Sequence, residues 1–131
     1  MAGVRHPYSS LVSAITGAVL IIVAGTAGAQ GDPKRGQKLF ENCAACHAAD
    51  GKGNEVGPGL SGVFGRKAGE REDFRYSPAL KRSGITWTPQ TLDNFLADPQ
   101  KAVPNNRMPF SGIPDARERA DLISYMQQAF K

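Results

Sequence analysis

Between Ala48 and Tyr76 the chain carries seven of its fifteen glycines and no helical or strand-like period of apolar residues. Connections in compact domains are usually a handful of residues long, and structureless loops beyond about 15 residues are uncommon. Such a loop holds too little apolar surface to close on itself. It becomes reasonable in a small domain if it wraps something large and apolar that is not polypeptide. The sequence therefore asks for a cofactor before any motif is read.

Helices are written on either side of this loop by punctuation. Asp32-Pro33 looks like a cap followed by proline at the first helical position, opening a helix through Leu39 and Phe40 towards Ala45. Ser77-Pro78 repeats the device for a short helix that stops at Gly84, and Thr88-Pro89 repeats it with Leu92, Phe95 and Leu96 on one face. In the last helix Asp115 and Glu118 form a capping-box-like pair, and Ala120, Ile123 and Met126 recur at helical spacing with Leu122 and Tyr125 alongside. There is no strand-like alternation of any length. The expectation is an all-α fold of three to five helices joined by long loops.

At 131 residues the chain is one domain at most. Its formal charge of +4 is spread over sixteen Lys and Arg mixed with twelve acids, which argues against a nucleic-acid partner and for a weak preference for acidic surfaces. The first 29 residues differ: Arg5 is their one Lys or Arg, no acid occurs, and the apolar run "LVSAITGAVLIIVAG" leads to Ala27 and Ala29 in A-x-A spacing. That is the plan of a secretory signal. Leu11 to Ala29 is also just long enough to span a bilayer, so an uncleaved anchor is the competing reading. Ser13, Thr16, Gly17, Gly25, Thr26 and Gly28 dilute the run and favour cleavage. We expect residues 1–29 to be the targeting segment and 30–131 the folded domain, periplasmic, and tethered to the membrane only if the segment is retained. So small a domain often needs a staple.

"GPGLSG", Gly57 to Gly62, matches G-x-G-x-x-G. The dinucleotide motif needs a strand before it and a helix after it, and neither fits here.

The chemistry concentrates in "CAACH". On a helix Cys43, Cys46 and His47 stand at i, i+3 and i+4, on one face. A zinc site needs four ligands, and the other histidine, His6, lies in the targeting segment. A thioredoxin-like dithiol needs a βαβ context, and a disulfide leaves His47 unexplained. C-x-x-C-H reads most directly as covalent attachment of one haem c, with His47 as the proximal iron ligand. Of three methionines, Met1 initiates and Met126 reads as core filler. Met108, in "VPNNRMPF" between Pro104 and Pro109, is the candidate sixth ligand.

With these ligands in place, the chain resembles class I cytochrome c, nearest the mitochondrial-like, cytochrome c2-type branch. "GQKLFENCAACH" resembles the family's first helix, with Gly36 and Phe40 where it crosses the last; "GPGLSGVFGRKAG" resembles the proximal loop. "FRYSPAL", "GITWTPQTLDNFLADPQK", "VPNNRMPF" and "DLISYMQQAF" match the later segments in order, the last with Tyr125 facing the crossing. The resemblance implies that Pro58 accepts a hydrogen bond from His47, that Arg66, Tyr76 and Trp87 surround the haem propionates, and that Phe110 covers the haem beside the methionine loop. Two departures bear on the sixth ligand: Phe95 stands where relatives often carry Tyr, and Asn106 where they usually carry Thr. Of the family's lysine ring, Lys101 and Arg107 fall at matching places, with Lys38, Lys52 and Lys81 expected near them, while Gln100 and Asp115 replace expected charge.

The function implied is a monomeric, single-haem electron carrier with no reaction of its own. Its partners would be membrane redox complexes such as a bc1-type complex, a terminal oxidase or a photosynthetic reaction centre. The rivals are a membrane-anchored carrier with the same chemistry, and a haem enzyme or gas-binding protein whose sixth site is open.

Overall fold

The computed structural model describes Met1, Gly3 and residues 30–131; the remainder of the expected 1–29 targeting segment, His6 included, lies outside the described residues. Five helices occur among the described residues: α1 (Pro33–His47), α2 (Pro78–Arg82), α3 (Pro89–Ala97), α4 (Pro99–Ala102) and α5 (Ala116–Ala129). Strand pairing there is confined to one isolated antiparallel bridge between Lys67 and Thr86. The all-α expectation holds.

Each of the first four helices begins with proline behind a polar cap. Asp32 accepts from the backbone N–H groups of Lys34 and Arg35, and Ser77 from that of Leu80. Thr88 forms a reciprocal capping box with Thr91, and Asp98 accepts from Lys101 N–H. Proline lacks the N–H that a first-turn residue could not use anyway, and its fixed φ suits helix entry. The helix α4 was not expected: Asp98-Pro99 repeats the same device, but four residues are too few to show a period. Asp115 caps α5 by accepting from Arg117 and Glu118 N–H, and Glu118 adds its charge to the first turn.

The frame is the crossing of α1 and α5. A methyl group at Gly36 would lie 2.0 Å from the Asp121 carbonyl oxygen and 2.8 Å from Tyr125 Cβ, so only glycine lets the backbones approach this closely. One turn on, the ring of Phe40 meets those of Tyr125 and Phe130, with centroids 5.5 and 5.0 Å apart. Asp121, buried within the crossing, accepts from Arg35 Nε at 2.7 Å, Arg35 Nη2 at 3.1 Å and Asp32 N–H at 2.6 Å. A buried carboxylate is tolerated because all its partners are present. Against this frame α3 is fastened by Arg119, whose Nε donates to Asp93 at 2.7 Å while Nη1 donates to the carbonyls of Ile113 and Pro114. Leu92, Phe95, Leu96, Leu122, Ile123 and the expected core filler Met126 complete the interior.

The long loop is held at several points. Gly62 N–H donates to the Phe130 carbonyl at 3.1 Å, and Trp87 exchanges backbone bonds with the 65–66 segment through Gly65 N–H at 2.7 Å and Arg66 C=O at 2.9 Å. The loop thus closes over a space that α1, α3 and α5 leave open.

Candidate functional site

That space is a cavity of about 340 Å³, walled mostly by apolar side chains of α1, the long loop, α2, α3, α5 and the segment after α4. Cys43, Cys46, His47, Pro58, Arg66, Tyr76, Trp87, Met108 and Phe110 all line it. Every residue expected at the site is therefore brought to one cavity.

Cys43 and Cys46 stand half-buried on the last turns of α1. Burial, and next the neighbouring Cys46, push the Cys43 thiol above its ordinary pKa, so it is held protonated. His47 closes the helix. Its Nδ1 lies 2.8 Å from the Pro58 carbonyl oxygen, and a carbonyl can only accept, so Nδ1 carries the proton. Burial holds the imidazole below its ordinary pKa, partly opposed by that hydrogen bond. The ring is neutral, with the lone pair on Nε2 uncommitted, which is the form that ligates a metal.

Glycines put Pro58 there. A Cβ on Gly57 would meet the Cys46 carbonyl oxygen at 2.6 Å, and one on Gly59 would meet that of Lys52 at the same distance. At the end of α1, Ala48 takes a positive φ of 60°, and Gly53 N–H returns to the His47 carbonyl at 3.0 Å. The loop can turn back tightly enough for a single carbonyl to reach the histidine.

The opposite chemistry is found at Arg66. Its guanidinium donates to the carbonyls of Gly59 at 2.8 Å and Ser61 at 3.0 Å, and its ion pairing is left open: the described ion pairs use Arg35, Lys52, Arg71 and Arg119. Burial lowers its pKa, the first sign of an incompletely compensated cation. Burial raises the pKa of nearby Tyr76, so its phenol remains a donor. A cation and a phenol on a mostly apolar wall fit a flat apolar group that bears carboxylates. Trp87 stacks edge-on against Phe95, with centroids 5.2 Å apart.

Met108 is half-buried on the loop after α4, and its N–H is bound by the Asn106 side chain at 2.9 Å. Among the described residues no group of three or more His, Cys, Asp and Glu side chains is placed to hold a metal by itself, which leaves the zinc alternative without partners there. Leu80, the apolar face of α2, also lines the cavity and was not foreseen. In a five-residue helix one leucine gives no periodic pattern to read.

Residues 33–130 match the family model "Cytochrome c". The chain belongs to the cytochrome c family. It is 48% identical over 99 residues to cytochrome c2 of Rhodoblastus acidophilus, which covers 75% of this chain and 92% of that protein. It is 46% identical over 101 residues to cytochrome c of Chlamydomonas reinhardtii, covering 76% and 90% of the two chains. Among solved structures, cytochrome cH from Methylobacterium extorquens superposes with a TM-score of 0.70 at 45% identity, over 75% of this chain and 99% of its own. Five helices around one cavity are the small cytochrome c fold. As a cytochrome c, the protein is a haem electron carrier and not an enzyme. The family's haem c is covalently bound, and Cys43 and Cys46 provide the attachment pattern for it.

Proposed function

We propose that Cys43 and Cys46 hold the single haem as thioethers, that His47 and Met108 are its axial iron ligands, and that the protein shuttles electrons between membrane redox complexes. The observation that carries this reading is the tautomer of His47: Nδ1–H is committed to Pro58 and the Nε2 lone pair is left for iron, in a cavity that Met108 also lines. Bound haem supplies reversible one-electron Fe(III)/Fe(II) chemistry, with a thioether ligand favouring the reduced state. The chain's own residues do the rest. Pro58 fixes the ring of His47; Arg66, Tyr76 and Trp87 receive the propionates; Phe95 and Phe110 exclude water. Both ligands sit on short braced segments, so little has to move when the electron arrives.

Residues 30–131 form the working domain in this reading, released by cleavage of 1–29 into the periplasm, and acting as a monomer. No helix among the described residues is long and apolar enough to cross a membrane. Retention of the segment would instead tether the same carrier to the outer face of the inner membrane. A bc1-type complex as donor, and a terminal oxidase or photosynthetic reaction centre as acceptor, fit a weakly basic protein whose relatives are named cytochrome c2 and cytochrome c.

The visible spectrum of the ferric protein tests the ligand set. The weak red sulfur-to-haem charge-transfer band is expected, and the reduced protein should bind carbon monoxide slowly and poorly. Absence of the band together with ready carbon monoxide binding overturns Met108 ligation and favours an open sixth site.

A further inference from the structure

The segment that presents Met108 is poor in backbone donors. Pro104 and Pro109 lack an N–H, and Asn105 takes a positive φ of 65°, a conformation that asparagine tolerates better than most residues. Asn106, only 8% exposed, makes good the shortage. Its Nδ2 donates to the carbonyls of Pro99 at 2.8 Å and Val103 at 2.9 Å, while Oδ1 accepts the Met108 N–H at 2.9 Å. Its own N–H returns to Val103 at 3.2 Å, and its carbonyl accepts from Gln100 Nε2 at 3.1 Å. Both amide hydrogens and the amide oxygen are used. The anchor is firm, because Pro99 is among the most deeply buried side chains of the fold.

Much of the cavity wall is apolar. Phe95 and Leu80 line the cavity with hydrocarbon alone. The hydrogen bond that the structure gives Met108 from a side chain is made at its backbone N–H, by Asn106.

We propose that Asn106 is the positioning residue of the sixth ligand. Its carboxamide straps the 103–108 turn to the buried start of α4 and holds Met108 where the iron can use it. A thioether is a weak neutral ligand, and what keeps it bound against competitors is the local preorganisation of its loop. Removing the strap lets the loop swing away at little cost, so a competing ligand enters more readily. The inference rests on Met108 being the sixth ligand.

The test is an imidazole titration of the ferric holoprotein, read beside the charge-transfer band. Asn106→Leu keeps the side-chain bulk and loses every bond of the strap. Its apparent dissociation constant for imidazole is expected to fall by about tenfold or more, as loss of even one or two buried hydrogen bonds predicts, and its band to weaken. The isosteric pair Asn106→Thr and Asn106→Val differs by one hydroxyl, and threonine can still accept from the N–H two residues on. Thr is expected to restore most of the wild-type imidazole resistance and band intensity, and Val is not. That ordering stands even if the Leu variant folds poorly. A wild-type band with unchanged affinity in Leu and Val overturns the role of Asn106 alone. A wild type without the band overturns Met108 ligation, and the proposal with it.

Discussion

His47 Nδ1 stands 2.8 Å from the Pro58 carbonyl, and that contact depends on a glycine at each side of the proline. Gly57→Ala would press a methyl group to 2.6 Å from the Cys46 carbonyl oxygen, which is backbone and cannot step aside. We expect a loss of about 1–3 kcal/mol of stability, the usual range for overpacking, with a shift in reduction potential as the His47 hydrogen bond is lengthened. Denaturant unfolding and redox titration of the holoprotein check both effects. Unchanged stability and potential would show that the loop has slack.

Asp121 is the buried anion of the α1–α5 crossing, and Arg35 is the first cause that holds its carboxyl below the ordinary pKa. A carboxyl whose folded pKa is depressed contributes stability above its unfolded value, near 4, and loses it as pH falls through the folded value. Asp121→Asn should cost roughly 1–3 kcal/mol at neutral pH by weakening charged hydrogen bonds. The gap between variant and wild type should narrow below about pH 4. Urea unfolding at both pH values decides this, and a gap that stays constant would remove Asp121 from the acid response.

Phe95 faces the cavity, packed edge-on against Trp87. Phe95→Tyr adds a hydroxyl to that wall. If Met108 is bound to iron, its sulfur is the acceptor the hydroxyl can use, and a hydrogen bond there withdraws density from Fe(III). The reduction potential is expected to rise by up to about 60 mV, one tenfold step for a one-electron couple. A fall in potential would show that the hydroxyl turns elsewhere.

Arg66 brings a positive charge to the pocket with carbonyls as its partners. Arg66→Gln retains donors and removes the charge. The ferric state, which carries one more positive charge, becomes relatively easier to hold, so the potential should fall. Stability should fall by about 1–3 kcal/mol, as for hydrogen bonds to charged groups. Voltammetry at two salt concentrations separates the effects: a half-buried charge is screened less than an exposed one, so its effect on the potential should largely persist in high salt. A shift that vanishes with salt would place Arg66 in solvent.

The sequence made much of this legible because its caps are local. Asp32, Ser77, Thr88 and Asp115 announce their helices within a few residues, without help from the rest of the fold. The CAACH cluster is as local, since one helical turn sets its geometry. Asp98-Pro99 is written in the same script, but no apolar period follows to reveal the helix it opens. Asn106, two residues before Met108, was legible as a departure that bears on hydrogen bonding at the sixth ligand, but not by which bonds. That its carboxamide turns to Pro99 and Val103 depends on how α4 ends. Arg35 and Asp121 lie at opposite ends of the domain sequence, and no local pattern joins such a pair. What the sequence hid is what tertiary packing brings together.

Phe130 ties the end of the chain to its middle. Its ring packs on Phe40 and its carbonyl receives Gly62, so the glycine-rich loop is latched by a residue far down the chain from the thiols. Phe130 stands at the far end of the domain sequence from Cys43 and Cys46, and the contact with Phe40 brings that end back onto α1. The Phe130 carbonyl is one of several holds on the loop, beside the bonds Trp87 makes with Gly65 and Arg66. A chain shortened by its last two residues would keep CAACH and Met108 and yet lose one tether of the loop that carries Pro58.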